Sequence, residues 1–301
     1  MTSMVSQSVF DDALAHFCMG PSGEPCGFAA EPIVRCNDPE FGEMSVIRCK
    51  SCGHGVTTPY IPDVAVLYEG RETQDYQVQD NSIATAIKQF AFRRQTRKML
   101  GQAGFSGGKI VDFGIGSGLY TSCIAASAGA DAQVTGLDFF AEPPAQIGSA
   151  QYHSFADAHE LEGSADLVTC FHVLEHDSDP QNILSQLRRL GKPGATFVIE
   201  VPHIDCPWRH VFGRHWDNWY LPFHRTHFSR TSFHRAVEQA GLTIVAEHPM
   251  HIPAIGRSIA NMLGAQNSLP FVLMGAASFP LQTAVEKLAN GPSALRIVAK
   301  S

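Results

Sequence analysis

Between residues 106 and 201, short apolar runs alternate with amphipathic stretches, the pattern of strands and helices in succession. Ile110, Val111 and Phe113 make a buried strand that runs into Gly114, Gly116 and Gly118, and Leu119 to Ala130, rich in small residues, follows as a helix. Ala132 to Asp138 reads as a second strand ending in an acid, and a short strand leads to Asp157. Leu167 to Phe171 is a further buried strand. Gln181 to Leu190 then sets Ile183, Leu184, Leu187 and Leu190 on one helical face. Lys192-Pro193-Gly194 turns into a strand over Ala195 to Val201. This β-α-β-α order predicts a mostly parallel sheet. Downstream, Ser232 to Ala240 predicts a helix capped by Ser229 or Thr231 and stopped by Gly241. Leu242 to Ala246 predicts a strand, residues 252–290 helices, and Leu295 to Ala299 a last strand. Upstream, Ile83, Ile87 and Phe90 at helical spacing predict an amphipathic helix over Ile83 to Leu100.

The rest of the chain departs from that rhythm. Residues 1–13 read as a leader, 14–60 as a cysteine-bearing segment rich in Gly and Pro, and 61–105 as a linker and helix before the 106–301 domain. Residues 204–230 form an insertion dense in aromatics and histidines. Of eight cysteines, Cys18, Cys26, Cys36, Cys49 and Cys52 crowd the start of the chain. Cys123 and Cys170 lie in apolar surroundings and read as small core residues. Met44 to Ile47 reads as a strand feeding Cys49-Lys50-Ser51-Cys52-Gly53, a turn that brings two thiolates onto one tetrahedral ion. No strand–Cys-x-x-Cys–helix pattern follows, which disfavours redox chemistry at this pair.

Apolar residues make up 44% of the chain, its net charge is −7 and its pI about 6.0. No broad basic surface advertises nucleic acid. The longest apolar stretch, Leu269 to Leu281, is too short to span a bilayer and contains Pro270 and Pro280. No basic start followed by an apolar run marks a signal peptide, so the expected location is the cytoplasm.

Three glycines at alternate positions let a ligand approach main-chain N–H groups, and the helix start behind them favours an anionic group. A dinucleotide fingerprint places its third glycine one step later. The pattern here, Asp112-x-Gly114-x-Gly116-x-Gly118, resembles motif I of the Rossmann-like, class I S-adenosylmethionine (SAM) dependent methyltransferases. The resemblance extends to Asp138, whose carboxylate can take both ribose hydroxyls. It extends to Asp157, matched to an acid that accepts from the adenine amino group, and to His172-Val173-Leu174-Glu175-His176 after the fourth strand. It implies a seven-stranded, mostly parallel sheet with helices on both faces. It implies cofactor contacts from Asp112, Gly114, Gly116, Gly118, Asp138, Asp157, Ala158 and His172.

Arg48-Cys49-Lys50-Ser51-Cys52-Gly53, followed by Thr57-Thr58-Pro59, is similar to the end of a small N-terminal zinc ribbon found in methyltransferases of sugar and polysaccharide pathways. That likeness implies one zinc ion on Cys49 and Cys52; the alternative is a metal-free remnant whose cysteines are merely buried. Cys26 and Cys36 are then the remaining ligands, with Cys18, His16 and His54 as substitutes, because the second Cys-x-x-Cys of the family is absent. Tyr68-Glu69-Gly70 and Asp75-Tyr76 resemble a linker that closes over the cofactor in the same enzymes; the alternative is a surface loop.

The resemblance implies methyl transfer to a small-molecule or sugar acceptor, at a hydroxyl ahead of a carbon. A hydroxyl must lose its proton, and histidine suits that at neutral pH. The candidates are His176, His203, His224 and His227, any of which has a bland reading as a structural residue bonded to backbone. The insertion's aromatic rings suit the apolar face of a sugar, and Arg214 and Arg225 either bind an anionic group or pair with Asp217 and Glu200. A non-catalytic SAM-binding protein, an RNA methyltransferase and an NAD-dependent oxidoreductase are the competing classes. Oligomeric state is open.

Overall fold

The computed structural model describes residues 27–29, 31–59, 61 and 82–301, with only the backbone for 82–84. Cys18, Cys26, His16 and the Tyr68 and Tyr76 stretches lie outside the described residues. Strands β1 (Val34–Asp38), β2 (Gly42–Arg48) and β3 (Gly55–Thr58) make an antiparallel meander at the front of the chain. The main sheet is built from β4 (Gly108–Phe113), β5 (Ala132–Asp138), β6 (Gln151–Ser154), β7 (Ala165–Phe171) and β8 (Gly191–Pro202), all parallel. A two-residue strand β9 (Thr226–His227) pairs with β3, while β10 (Thr243–Met250) and β11 (Ala294–Lys300) complete the main sheet. Its order is β10-β11-β8-β7-β4-β5-β6, with β11 antiparallel to both its neighbours.

Neighbouring residues of each central strand point to opposite faces, and both faces are apolar. Val111, Val168, Ile199 and Ile297 face helices α3 (Pro180–Leu190) and α5 (Arg230–Gln239) with Leu184, Leu187, Phe233 and Val237. Ile110, Leu167, Val198 and Val298 face α1 (Ser82–Ala103) and α2 (Leu119–Ser127) through Met99, Leu100 and Ile124. Each such side chain, fully buried, contributes about 1.5–3 kcal/mol. The sheet therefore has the two covered faces that the alternation of elements predicts.

Two expectations fail against tertiary packing. The apolar stripe of α1 does not face the core: Ile87 is 38% and Phe90 75% exposed, and only its last turns, at Met99 and Leu100, pack inside. The insertion's tryptophans are not a sugar platform. Trp208, Trp216 and Trp219 are buried with Val46, Ile204 and Ile255, joining the front meander to α4 (Trp208–Phe212) and α6 (Ile255–Met262). The aromatic density is that of a second core. Helix α7 (Leu269–Leu288) packs on α6, and among the described residues no helix is long and apolar enough to cross a membrane.

The front meander is tied to the body at several points. β3 and β9 pair at Gly55–His227 and Val56–Thr226, and the Thr57 amide donates to the Arg225 carbonyl at 2.9 Å. Ser229 caps α5 in a reciprocal box: its Oγ accepts from the Ser232 amide at 3.1 Å, and Ser232 Oγ accepts from the Ser229 amide at 3.0 Å. Ser229 Oγ also donates to the Cys52 carbonyl, so the helix start and the Cys-x-x-Cys turn share one hydroxyl.

Candidate active site

The glycine loop leaves the carboxyl edge of β4, where ligands of open α/β sheets bind. Gly114 and Gly118 both have φ +77°, a conformation that L side chains rarely adopt. A Cβ at Gly114 would come within 2.4 Å of Val173 Cγ2, and one at Gly118 within 2.8 Å of the Ile147 amide nitrogen. Gly114 thus lets the segment after β7 close against the loop, and Gly118 the segment between β5 and β6. Asp138, at the end of β5, accepts from the Gly116 amide through Oδ2 and from the Phe139 amide through Oδ1, each at 2.7 Å. Burial pushes its pKa up, and those amides pull it down.

Asp112 stands apart from the other acids. It is buried and accepts from Thr121 and Thr169 hydroxyls, each at 2.7 Å. Burial pushes its pKa to about 6 against both bonds. The residue locks β4, β7 and α2 together beneath the loop, which corrects its reading as a cofactor contact. Asp157 lies in a 3-10 turn after β6, exposed, with Ser154 Oγ donating to its Oδ2 at 2.7 Å. Ala158 is half-buried against the core. Phe155 stacks on Phe113 with ring centroids 4.6 Å apart, as a core residue would.

The segment His172–His176 carries a charge network. His172, at φ +56°, sets Nε2 3.0 Å from Glu200 Oε1 and Nδ1 3.3 Å from Glu175 Oε1. Burial disfavours its charge, but the two glutamates outweigh that and hold its pKa at about 10. Glu200 Oε2 receives Arg296 through Nε at 2.8 Å and Nη2 at 2.7 Å, and the guanidinium is 1% exposed. Glu200 therefore pairs with Arg296 rather than with Arg214 or Arg225. Asp217 pairs with Arg257 at 2.6 Å. Arg225 is spent on structure, its Nη2 donating to the Ile61 carbonyl.

The four candidate histidines separate into two groups. His203 is buried with Nδ1 3.1 Å from the Pro292 carbonyl, and His227 is buried with Nε2 3.0 Å from Thr57 Oγ1. Burial lowers both pKa values, that of His227 to about 3. Each braces a junction, and His227 also meets the His224 ring edge-on, centroids 6.2 Å apart. His176 and His224 meet edge-on, ring centroids 4.8 Å apart, with a Glu175 oxygen within 4.8 Å of a nitrogen of each. His224 Nδ1 lies 2.8 Å from the Asn218 carbonyl, which can only accept, so that nitrogen carries the proton and Nε2 presents a lone pair. His176 donates to the Phe223 carbonyl. Burial lowers the pKa of both rings, that of His224 well below the usual value, so both are neutral at pH 7. The exposed Tyr220 ring borders both, 6.2 Å from His176 and 5.3 Å from His224 between centroids.

The Cys-x-x-Cys turn has the form of a metal knuckle. Cys49 Sγ accepts from the amides of Ser51 at 3.3 Å and Cys52 at 3.4 Å, and Gly53 takes φ +74° to close the turn. Cys36 is not beside it: its partner across the strands is Met44, five residues before Cys49 on β2. At about 3.3 Å per residue that is roughly 16 Å of strand, which removes Cys36 as a ligand of the same ion. His54 Nδ1 lies 3.2 Å from Ser232 Oγ, inside the body. Gly27, next to Cys26, accepts from the Lys50 amide at 3.0 Å.

A parallel sheet of this order, with a glycine loop after β4 and acids after β5 and β6, defines a class I SAM-dependent methyltransferase. The chain belongs to that class: the family described as a methyltransferase domain matches residues 52–247, more than half of its length. The ubiquinone biosynthesis O-methyltransferase of Pseudomonas aeruginosa (strain LESB58) is 34% identical over 109 residues, 33% of this chain and 46% of that relative. The enzyme of the same name from Pectobacterium atrosepticum is 37% identical over 107 residues, 30% of this chain and 41% of that one. The match thus spans less than half the length of these curated relatives. Among solved structures, the Burkholderia thailandensis 1,6-didemethyltoxoflavin-N1-methyltransferase superposes with TM-score 0.50 at 15% identity, over 90% of this chain and 99% of that one. A putative methyltransferase complexed with the Haloferax volcanii Trm112 activator gives TM-score 0.51 at 19% identity, over 79% of this chain and 97% of that one. At these identities the structures show the fold alone.

Proposed function

We propose that the chain moves the methyl group of SAM to an oxygen of a small hydroxylated molecule, with His176 and His224 facing the acceptor. The observation that carries this is the group Glu175–His176–His224 on the segment whose Val173 packs on Gly114, two neutral histidines each with one nitrogen held by a backbone carbonyl. Bound SAM supplies an electrophilic methyl group. The chain's part is to hold it and to prepare the acceptor. Gly114, Gly116 and Asp138 form the ribose and carboxylate side of the cofactor site, and Asp157 with Ala158 the adenine side. His172, held between two glutamates, fixes the segment that carries the histidines. Oxygen is favoured as the acceptor atom because the curated relatives are named O-methyltransferases.

The test is methyl transfer from labelled SAM to a panel of phenols, sugars and nucleotide sugars. Incorporation into an ether is expected. His224→Ala is expected to lower kcat by about 100-fold or more with SAM binding unchanged, the usual scale for loss of a group that handles a proton. Tight SAM binding with no transfer to any hydroxylated acceptor would favour a non-catalytic binding protein instead.

We also propose one zinc ion on Cys49 and Cys52, completed by Cys26 and one further residue from the segment that precedes it. The amide-to-sulfur bonds of the turn support this. The purified protein is expected to carry about one zinc per chain, and Cys49→Ser to lose it together with stability. A metal-free protein equally stable with and without Cys49 contradicts the proposal.

A further inference from the structure

We propose that Glu175, His176 and His224 hold a divalent first-row transition-metal ion that binds the acceptor hydroxyl. This deepens the reading given above and rests on it. The first observation is an unmet carboxylate. Glu175 is 0% exposed; its Oε1 meets His172 Nδ1 at 3.3 Å, and its Oε2 has no hydrogen-bond partner among the described residues. A buried carboxylate with one oxygen left unpaired is costly. His172 Nδ1 lies 3.3 Å from Oε1, but a carboxylate offers about four lone-pair positions and one contact satisfies at most one of them.

The second observation is the direction of the histidines. His224 is obliged to donate Nδ1–H to the Asn218 carbonyl, so its Nε2 lone pair faces Glu175 Oε1 at 3.9 Å. Two acceptors facing each other at that distance leave room for a cation or a proton between them. His176 has its own donor taken up by the Phe223 carbonyl. One ligand atom from each of the three residues lies within 4.8 Å of the others. A tetrahedral ion about 2.0–2.2 Å from each needs the atoms about 3.3–3.6 Å apart, so the side chains close in by about 1 Å when it binds. Backbone carbonyls holding the outer nitrogens of both rings are the usual support for metal-binding histidines. Two imidazoles and one carboxylate suit zinc, manganese, iron(II) or cobalt, with coordination positions left over. Val173, two residues before Glu175, packs on Gly114 of the cofactor loop.

The step this allows is balanced without further reactants. The acceptor hydroxyl, bound to the cation, gives its proton to solvent. Its oxygen bonds to the methyl carbon as the carbon–sulfur bond breaks, and the sulfur keeps the electron pair. In this arrangement the two histidines are ligands rather than bases.

The experiment is titration of the full-length protein with Mn²⁺, read by the loss of the free-ion signal in electron paramagnetic resonance. Thiolates are poor partners for this ion, so the cysteine turn does not interfere. Uptake of one Mn²⁺ per chain is expected, weakened at least tenfold in Glu175→Gln and in His224→Gln, each checked for folding by circular dichroism. Chelation is expected to lower turnover of the wild type about 100-fold, with recovery on adding Mn²⁺ and no change in SAM binding. Full turnover by chelated protein free of bound metal overturns the inference. So does Mn²⁺ uptake that is unchanged in both variants. If turnover ignores the chelator but vanishes in His224→Gln with SAM still bound, the metal falls and the histidine-base reading stands. If Mn²⁺ binds as expected but no acceptor is methylated, the metal site stands and the proposed reaction falls.

Discussion

Asp138→Ala is expected to weaken binding of S-adenosylhomocysteine by about 100-fold or more, measured by calorimetry. Two hydrogen bonds from ribose hydroxyls to a carboxylate are each worth about 1.5–3 kcal/mol, and both go with the side chain. The same change frees the Gly116 amide, which now donates to Asp138 Oδ2 at 2.7 Å, so the glycine loop loses its tether as well. Asp138→Asn keeps one acceptor and the shape of the site, and should fall between the two. A loss of less than about fivefold in Asp138→Ala would remove Asp138 from the cofactor site.

The second large effect is on stability. Arg296→Met is expected to cost about 3–5 kcal/mol, because it leaves Glu200, 5% exposed, without the fork that now holds its Oε2. Thermal unfolding should show the change as a fall in Tm of roughly 6–15 °C. The double variant Glu200→Gln with Arg296→Met removes the stranded charge and should recover most of the loss. If Arg296→Met alone costs under about 1 kcal/mol, His172 suffices to hold Glu200 and the network is looser than its distances imply.

How far the sequence reveals this protein depends on the range of each interaction. The glycine loop, the acid ending β5 and the His172–His176 run are local patterns, with chemistry and position encoded in a few adjacent residues. The Ser229 cap is equally local, a hydroxyl one step before a helix. The Arg296–Glu200 pair joins residues 96 apart in sequence, and its only sign was a lone charge in each of two apolar strands, Ile199-Glu200-Val201 and Leu295-Arg296-Ile297. Glu175 was visible as a motif letter, but its lack of donors is a property of the packed structure.

The misreadings have the same origin. The tryptophans of the insertion looked like a ligand surface because sequence density cannot distinguish a platform from a core, and here they fill the seam under the front meander. Cys36 looked available to the zinc turn until the β1–β2 register carried it down the strand. Phe90 had the right helical spacing, but α1 packs only through its last turns. β9 is two residues long, too short to show any period, yet it places His227 against Thr57, three residues after the His224 that meets His176.

The central claim is that the reacting end of the cofactor meets the Glu175–His176–His224 group. A crystal structure with S-adenosylhomocysteine bound tests it most directly. The account predicts the ribose on Asp138, the sulfur turned toward His176 and His224, and a closed space between them large enough for a small hydroxylated acceptor. A cofactor whose sulfur points away from that group, with His176 and His224 sealed behind protein on every side, would contradict it.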